Sequence, residues 1–132
     1  MLNCRMTPIY SRLMTAAWNN SPEEVKQLLV QGADVNEKNE TGVTALMSAA
    51  AKDSFECAKL LIEKGADIDA RDYKEATPLM YAAVRNSIRV IKLLLERGAD
   101  VNAKDDDGTT ALIIAQRLQP DLIELFKKHG AQ

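Results

Sequence analysis

Aromatic residues make up only 5% of the 132-residue chain, and histidine occurs once. A core without aromatics has to be built from Ala, Leu, Ile, Val and Met. The two cysteines, Cys4 and Cys57, are too few and too far apart for a disulfide framework or a zinc site. No apolar run approaches the roughly 18 residues of a membrane-spanning helix. The first twenty residues lack the basic stretch and apolar core of a secretory leader. A net charge of −2 gives no electrostatic reason to expect nucleic acid or an acidic membrane surface. No glycine-rich phosphate loop and no Ser-His-Asp set can be assembled. These absences point to a cytoplasmic, non-catalytic protein of one domain, residues 1–132, with no metal and no cofactor.

What is present is repetition. Gly32-Ala33-Asp34-Val35-Asn36 returns as Gly65-Ala66-Asp67-Ile68-Asp69 and as Gly98-Ala99-Asp100-Val101-Asn102, with a clipped copy at Gly130-Ala131. A second phrase keeps the same register. Thr44-Ala45-Leu46-Met47-Ser48-Ala49-Ala50 is matched by Thr77-Pro78-Leu79-Met80-Tyr81-Ala82-Ala83 and by Thr110-Ala111-Leu112-Ile113-Ile114-Ala115. Ser11-Arg12-Leu13-Met14-Thr15-Ala16-Ala17 is a worn first copy. Two phrases holding one 33-residue period imply a stacked repeat architecture.

Each period reads as two helices and a turn. Ahead of the first, Met6, Ile9 and Tyr10 are expected to fold back onto it, since Pro8 argues against a long helix there. A helix is expected over about Arg12 to Asn19, with Ser11 as N-cap. Asn20 breaks it. Ser21-Pro22-Glu23-Glu24 opens the next with a cap, a proline at the first helical position and capping-box spacing. Val25, Leu28 and Leu29 form an apolar stripe, and Gly32 ends the helix. Helix starts recur at Thr44, Thr77 and Thr110, and at Ser54 and Ser87. The breaks recur at Asp53 and Asn86, residues that tolerate a left-handed turn. Cys57, Ala58, Leu61 and Ile62, then Val90, Ile91, Leu94 and Leu95, should face the core. The polar stretches 37–43, 70–76 and 103–109 read as projecting hairpin-like turns.

The period, the Thr-Pro-Leu phrase and the Gly-Ala-Asp phrase resemble the ankyrin-repeat family, whose motif is T-P-L-H-x-A. The resemblance implies an all-α solenoid of helix-turn-helix units with projecting β-turn fingers. It places four repeats at about 1–36, 37–69, 70–102 and 103–132. The motif histidine is Met14, Met47, Met80 and Ile113 here, so apolar packing should replace its inter-repeat hydrogen bonds. The finger glycine survives as Gly42 and Gly108 but is Glu75 in the finger of the third repeat, which implies strain or reshaping there. One residue is missing near Arg117–Leu118, so the last helix-to-helix turn should differ. Glu24 and Lys127 stand where other repeats carry apolar residues, as expected of solvent-facing end caps, so that the chain reads as a complete stack.

Chemistry is sparse. His129 fits a helix-end cation that complements the dipole. Asp105-Asp106-Asp107-Gly108 has the look of a calcium loop, but Gln116 stands where an EF-hand needs its final Glu. Cys57 lies on a core stripe and is expected to pack. What remains is surface. The resemblance implies partner recognition through the concave face and finger tips. The candidate partner-binding residues there are Trp18, Glu40, Thr41, Val43, Lys52, Tyr73, Lys74, Ala76, Tyr81, Arg85, Asp106, Asp107 and Thr109. Trp, Tyr and Arg are the types enriched in binding hot spots, while Trp18 and Tyr81 could equally plug gaps between helices. The expected partner is another protein, with the chain monomeric when unbound. An inhibitor that occludes an enzyme or toxin would use the same face. Asn36 and Asn102 also resemble sites of asparaginyl hydroxylation in this family, which would make the chain a hydroxylase substrate.

Overall fold

The computed structural model describes residues 9–132. Eight helices occur among them: α1 Ile9–Trp18, α2 Pro22–Val30, α3 Ala45–Lys52, α4 Phe55–Glu63, α5 Pro78–Arg85, α6 Ile88–Glu96, α7 Ala111–Leu118 and α8 Ile123–Lys128. A 3-10 turn at Pro120–Leu122 leads into α8, and no strand is present among the described residues. The helices pair as α1 with α2, α3 with α4, α5 with α6 and α7 with α8. The first helix of each pair packs on the first helix of the next, and α2, α4 and α6 form a second row.

Local chemistry sets these boundaries. Thr44, Thr77 and Thr110 have extended backbones, and their hydroxyls accept the Met47, Met80 and Ile113 amides at 3.3, 3.4 and 3.2 Å. These bonds satisfy amides that a helix start otherwise leaves without a partner. At Thr44 the reciprocal bond of the capping box goes to a sulfur, with the Thr44 amide donating to Met47 Sδ at 3.4 Å. Asn20, Asp53 and Asn86 take the left-handed conformation, with φ of 54°, 54° and 56°. Gly32 does so at φ 102°, which lets the Ala33 amide reach back to the Leu28 carbonyl at 3.1 Å and close α2.

Three expectations change. Residues 9–11 belong to α1, so Ser11 lies inside that helix and does not cap it, and Ile9 and Tyr10 are helical residues. Met6 and Pro8 lie outside the described residues. Ser21, Ser54 and Ser87 precede α2, α4 and α6 but make no side-chain cap bond. Their ψ of 76–79° is not the extended backbone of Thr44 or Thr77. For α4 and α6 the cap comes from the preceding pair instead. Asn20 Oδ1 accepts the Cys57 amide in the first turn of α4 (3.3 Å), and Asp53 Oδ1 accepts the Val90 amide in that of α6 (3.1 Å).

Small residues carry the close packing. Ala16, Ala17, Ala49, Ala50, Ala82, Ala83 and Ala115 are all buried where the first helices meet. The second row contributes Cys57, Ala58, Leu61, Val90, Ile91, Leu94 and Leu95 as expected, and Leu60 and Leu93 in addition. Ile62 is only half-buried, and so is Leu29. Met47 and Met80 are buried, whereas Met14 and Ile113 are half-buried. Glu24 and Lys127 are exposed. The fourth pair shows its missing residue: Gln119 ends α7 at φ −136° without a left-handed turn, and the 3-10 turn takes up the difference.

The fingers are closed hairpins. The Asn39, Asp72 and Asp105 amides each donate to the carbonyl four residues on, at Val43, Ala76 and Thr109, all at 3.0 Å. Neighbouring fingers are joined by Tyr73 N–H to the Thr41 carbonyl (3.1 Å) and Asp106 N–H to the Lys74 carbonyl (3.0 Å). Glu75 sits at φ 66°, the left-handed position that Gly42 and Gly108 occupy in the other fingers.

Candidate protein interface

Finger geometry fixes one edge of an open groove. The Asp72 side chain organises the second finger: Oδ1 accepts the Lys74 and Ala76 amides at 2.9 Å each. Its Oδ2 accepts the Tyr81 hydroxyl at 2.6 Å, which ties the finger to α5. Burial, followed by the bond to Asp72 and its charge, pushes the Tyr81 hydroxyl pKa well above the usual range. Tyr81 is therefore a neutral donor that braces the finger. Asp105 repeats the turn bonds through Oδ1 to the Asp107 and Thr109 amides, but Ile114 stands where α5 has Tyr81 and offers it no hydroxyl.

The other edge is set by the ends of the first helices. Trp18 closes α1 and is 38% exposed. Lys52, at the end of α3, holds its ammonium 5.4 Å from the Trp18 ring centroid. Arg85, at the end of α5, holds its guanidinium 5.7 Å from the same centroid. Three helix ends thus meet through one aromatic ring and two cations, a geometry in which the ring quadrupole attracts both charges.

Between these edges lies an open groove of about 460 Å³. It brings together seven of the residues selected from the sequence: Trp18, Lys74, Ala76, Tyr81, Arg85, Asp106 and Asp107. Lys52 is placed beside it through Trp18, and Glu40, Thr41, Val43, Tyr73 and Thr109 do not line it. Tyr73 is 67% exposed and lies against the first finger, where a side chain at Gly42 would come within 2.7 Å of its Cδ1. Asp72, Asp105, Met80 and Ile114 also line the groove and were not selected. Their double duty hid them, because each also serves the finger or the core. The signal for Met80 was its place in the motif: an apolar residue substitutes there for a histidine.

Cys57, His129, Asn36 and Asn102 each make contacts within the fold. Cys57 is 0% exposed, its thiol donates to the Ala16 carbonyl at 3.7 Å, and burial and the neighbouring Glu56 charge push it up to about 11. A thiol so buried and so weakly acidic is a poor nucleophile. His129 Nδ1 lies 3.0 Å from the Leu125 carbonyl at the end of α8. The carboxylates of Asp105, Asp106 and Asp107 lie within 4.8 Å of one another, and those of Asp106 and Asp107 are exposed. Asn36 donates from Nδ2 to the Gly65 carbonyl (3.2 Å) and accepts the Asp67 amide (2.7 Å). Asn102 does the same with the Gly130 carbonyl and the Gln132 amide, both at 3.0 Å. Both amide side chains therefore bridge successive turns.

A family model for ankyrin repeats, in three copies, matches residues 13–105. No curated protein matches the chain. No helix among the described residues is long and apolar enough to cross a membrane. Ankyrin repeats generally mediate protein–protein interaction, and the family is generally non-catalytic. The matched span takes in the groove from Trp18 to Asp105, and the chain belongs to the ankyrin-repeat family.

Proposed function

We propose that this chain binds a partner protein through the groove between its fingers and the ends of α1, α3 and α5. One observation carries the reading. A single open groove collects an exposed tryptophan, an arginine, a braced tyrosine and the exposed carboxylates of Asp106 and Asp107, while the exposed Lys59 and Lys92 lie on the second helix row. Aromatic and arginine anchors inside a concave, polar-rimmed surface are the usual make-up of an interface hot spot. No reaction is assigned, and the chain is expected to be monomeric until it meets its partner.

The test compares the two faces. The chain is immobilised and partners are captured from a lysate of the source cells, using wild type, Val84→Asp in the groove wall and Lys59→Glu on α4. Retention of the same partner should be lost with Val84→Asp and kept with Lys59→Glu. The reverse result places the site on the second helix row and sinks the reading.

A further inference from the structure

The two ends of the groove differ in charge: Asp105, Asp106 and Asp107 outnumber Lys74 at the finger end, and Arg85, with Lys52 beside it through Trp18, marks the other. Asp106 and Asp107 stand at the finger end, and none of the three ion pairs among the described residues involves them. At the other end Arg85 is likewise outside those pairs, and its guanidinium faces the Trp18 ring. The Arg85 N–H donors make no hydrogen bond among the described residues, and a planar guanidinium matches a carboxylate in a bidentate fork. Between the charged ends the floor is apolar, formed by Met80, Ile114 and Val84, the last 46% exposed.

Dimensions narrow the occupant further. α5 runs from the finger end to the Arg85 end, and its eight residues rise about 12 Å. About four residues of extended chain cover that distance at ~3.3 Å each. An extended strand of that length reaches both charged ends.

We infer that the groove takes an extended segment of the partner protein, about four residues long, with a basic side chain at one end, an aliphatic one in the middle and an acidic one at the other. The basic side chain meets Asp106 and Asp107, the aliphatic one covers Met80 and Val84, and the acidic one meets the edge of Arg85. This inference rests on the reading of the groove as the partner-binding site, and it adds the partner's chemistry. The pattern also sets orientation, since reversing the segment would bring like charges together at both ends.

The experiment is a selection of random dodecapeptides displayed on phage against the full chain, followed by titration of the best synthetic peptide. Trp18, the one tryptophan, supplies the fluorescence signal at the groove. Selected peptides should share Lys or Arg and Asp or Glu on opposite sides of Leu, Ile, Val or Met. Asp106→Asn and Asp107→Asn should each weaken the peptide about two- to fivefold, the range for exposed ion pairs, and less at high salt. Arg85→Gln should weaken it about tenfold or more, as for a hydrogen bond to a charged group, and Arg85→Lys should recover only part of the loss. Peptides that shift Trp18 emission and fail against Val84→Asp, yet lack the charge pattern, overturn this inference and leave the groove as the site. A selection without binders also counts against the inference alone, because the lysate capture answers separately. Peptides that leave Trp18 unchanged and still bind Val84→Asp overturn both readings.

Discussion

At the scale of single residues, several polar groups in this chain do structural work that their chemistry alone would not suggest. Cys57 is one. Its thiol pKa is raised from an ordinary 9.0 to about 11, mainly by burial. The folded state therefore holds the proton more tightly than the unfolded chain. The linked stability is full below pH 9, falls as pH rises from 9 toward 11, and is lost above that. The slope approaches about 1.4 kcal/mol per pH unit within that window. Cys57→Ala should be less stable than wild type at pH 8, and the gap should narrow by pH 10.5, as read by urea midpoints at both pH values. A gap that stays constant would show that the thiol does not titrate differently in the folded state. Glu56 moves the opposite way: bonds from Asn20 and from its own backbone, with help from Arg89, hold its carboxyl below the usual range. Its contribution is present at neutral pH and lost as the solution is acidified through its folded pKa.

At the scale of the helix pair, the legible features were those closed within a few residues. The Thr44, Thr77 and Thr110 caps and the left-handed breaks at Asn20, Asp53 and Asn86 follow from local rules, and the structure has them. The caps assigned to Ser54 and Ser87 failed because the acceptor for α4 and α6 arrives from the preceding pair, 37 residues away, and Ser21 makes no cap bond either. Asp53→Ala should therefore lose both a cap and a residue suited to φ 54°, and cost about 1–2 kcal/mol. Asn86→Ala loses only the second of these, since no counterpart bond joins Asn86 to α8 among the described residues, and it should cost less. Equal losses in chemical denaturation would remove the cross-pair cap from the account. A second ladder joins the turns. Asn36 and Asn102 each donate and accept, but Asp69 can only accept, and it takes the Asp100 amide at 2.9 Å. Asp69→Asn should add the missing bond to the Gly98 carbonyl and raise stability by about 0.5–1.5 kcal/mol. A urea midpoint that does not rise would show that the ladder geometry at this turn differs from its neighbours.

At the scale of the whole molecule, the groove was only half legible because it belongs to no single repeat. Trp18, Lys52 and Arg85 come from three successive first helices and meet only when those helices stack. Tyr73, an exposed aromatic among the candidate residues, lies on Gly42, outside the groove. Sequence spacing shows which positions the fold leaves free, and stacking decides which of them meet. The same dependence governs stability, since each pair buries its apolar surface against its neighbours. Leu94 is fully buried in α6, and Leu94→Ala should leave a cavity costing about 2–5 kcal/mol. Ala82 is fully buried where α5 meets its neighbours, and Ala82→Leu should overpack it at about 1–3 kcal/mol. Trp18 sits two helix pairs away from both changes in sequence order and reports through its emission. Because the fingers, the cross-pair caps and the first helices all link successive pairs, the stack should unfold as one unit. For either variant, the urea curve followed by Trp18 emission and the curve followed by far-ultraviolet circular dichroism should shift together and stay superimposed. Curves that separate, with Trp18 keeping the wild-type midpoint while helix signal is lost early, would show that the pairs melt independently. In that case a defect in α5 or α6 would leave the α1 end of the groove folded, and the groove could not act as one preformed site.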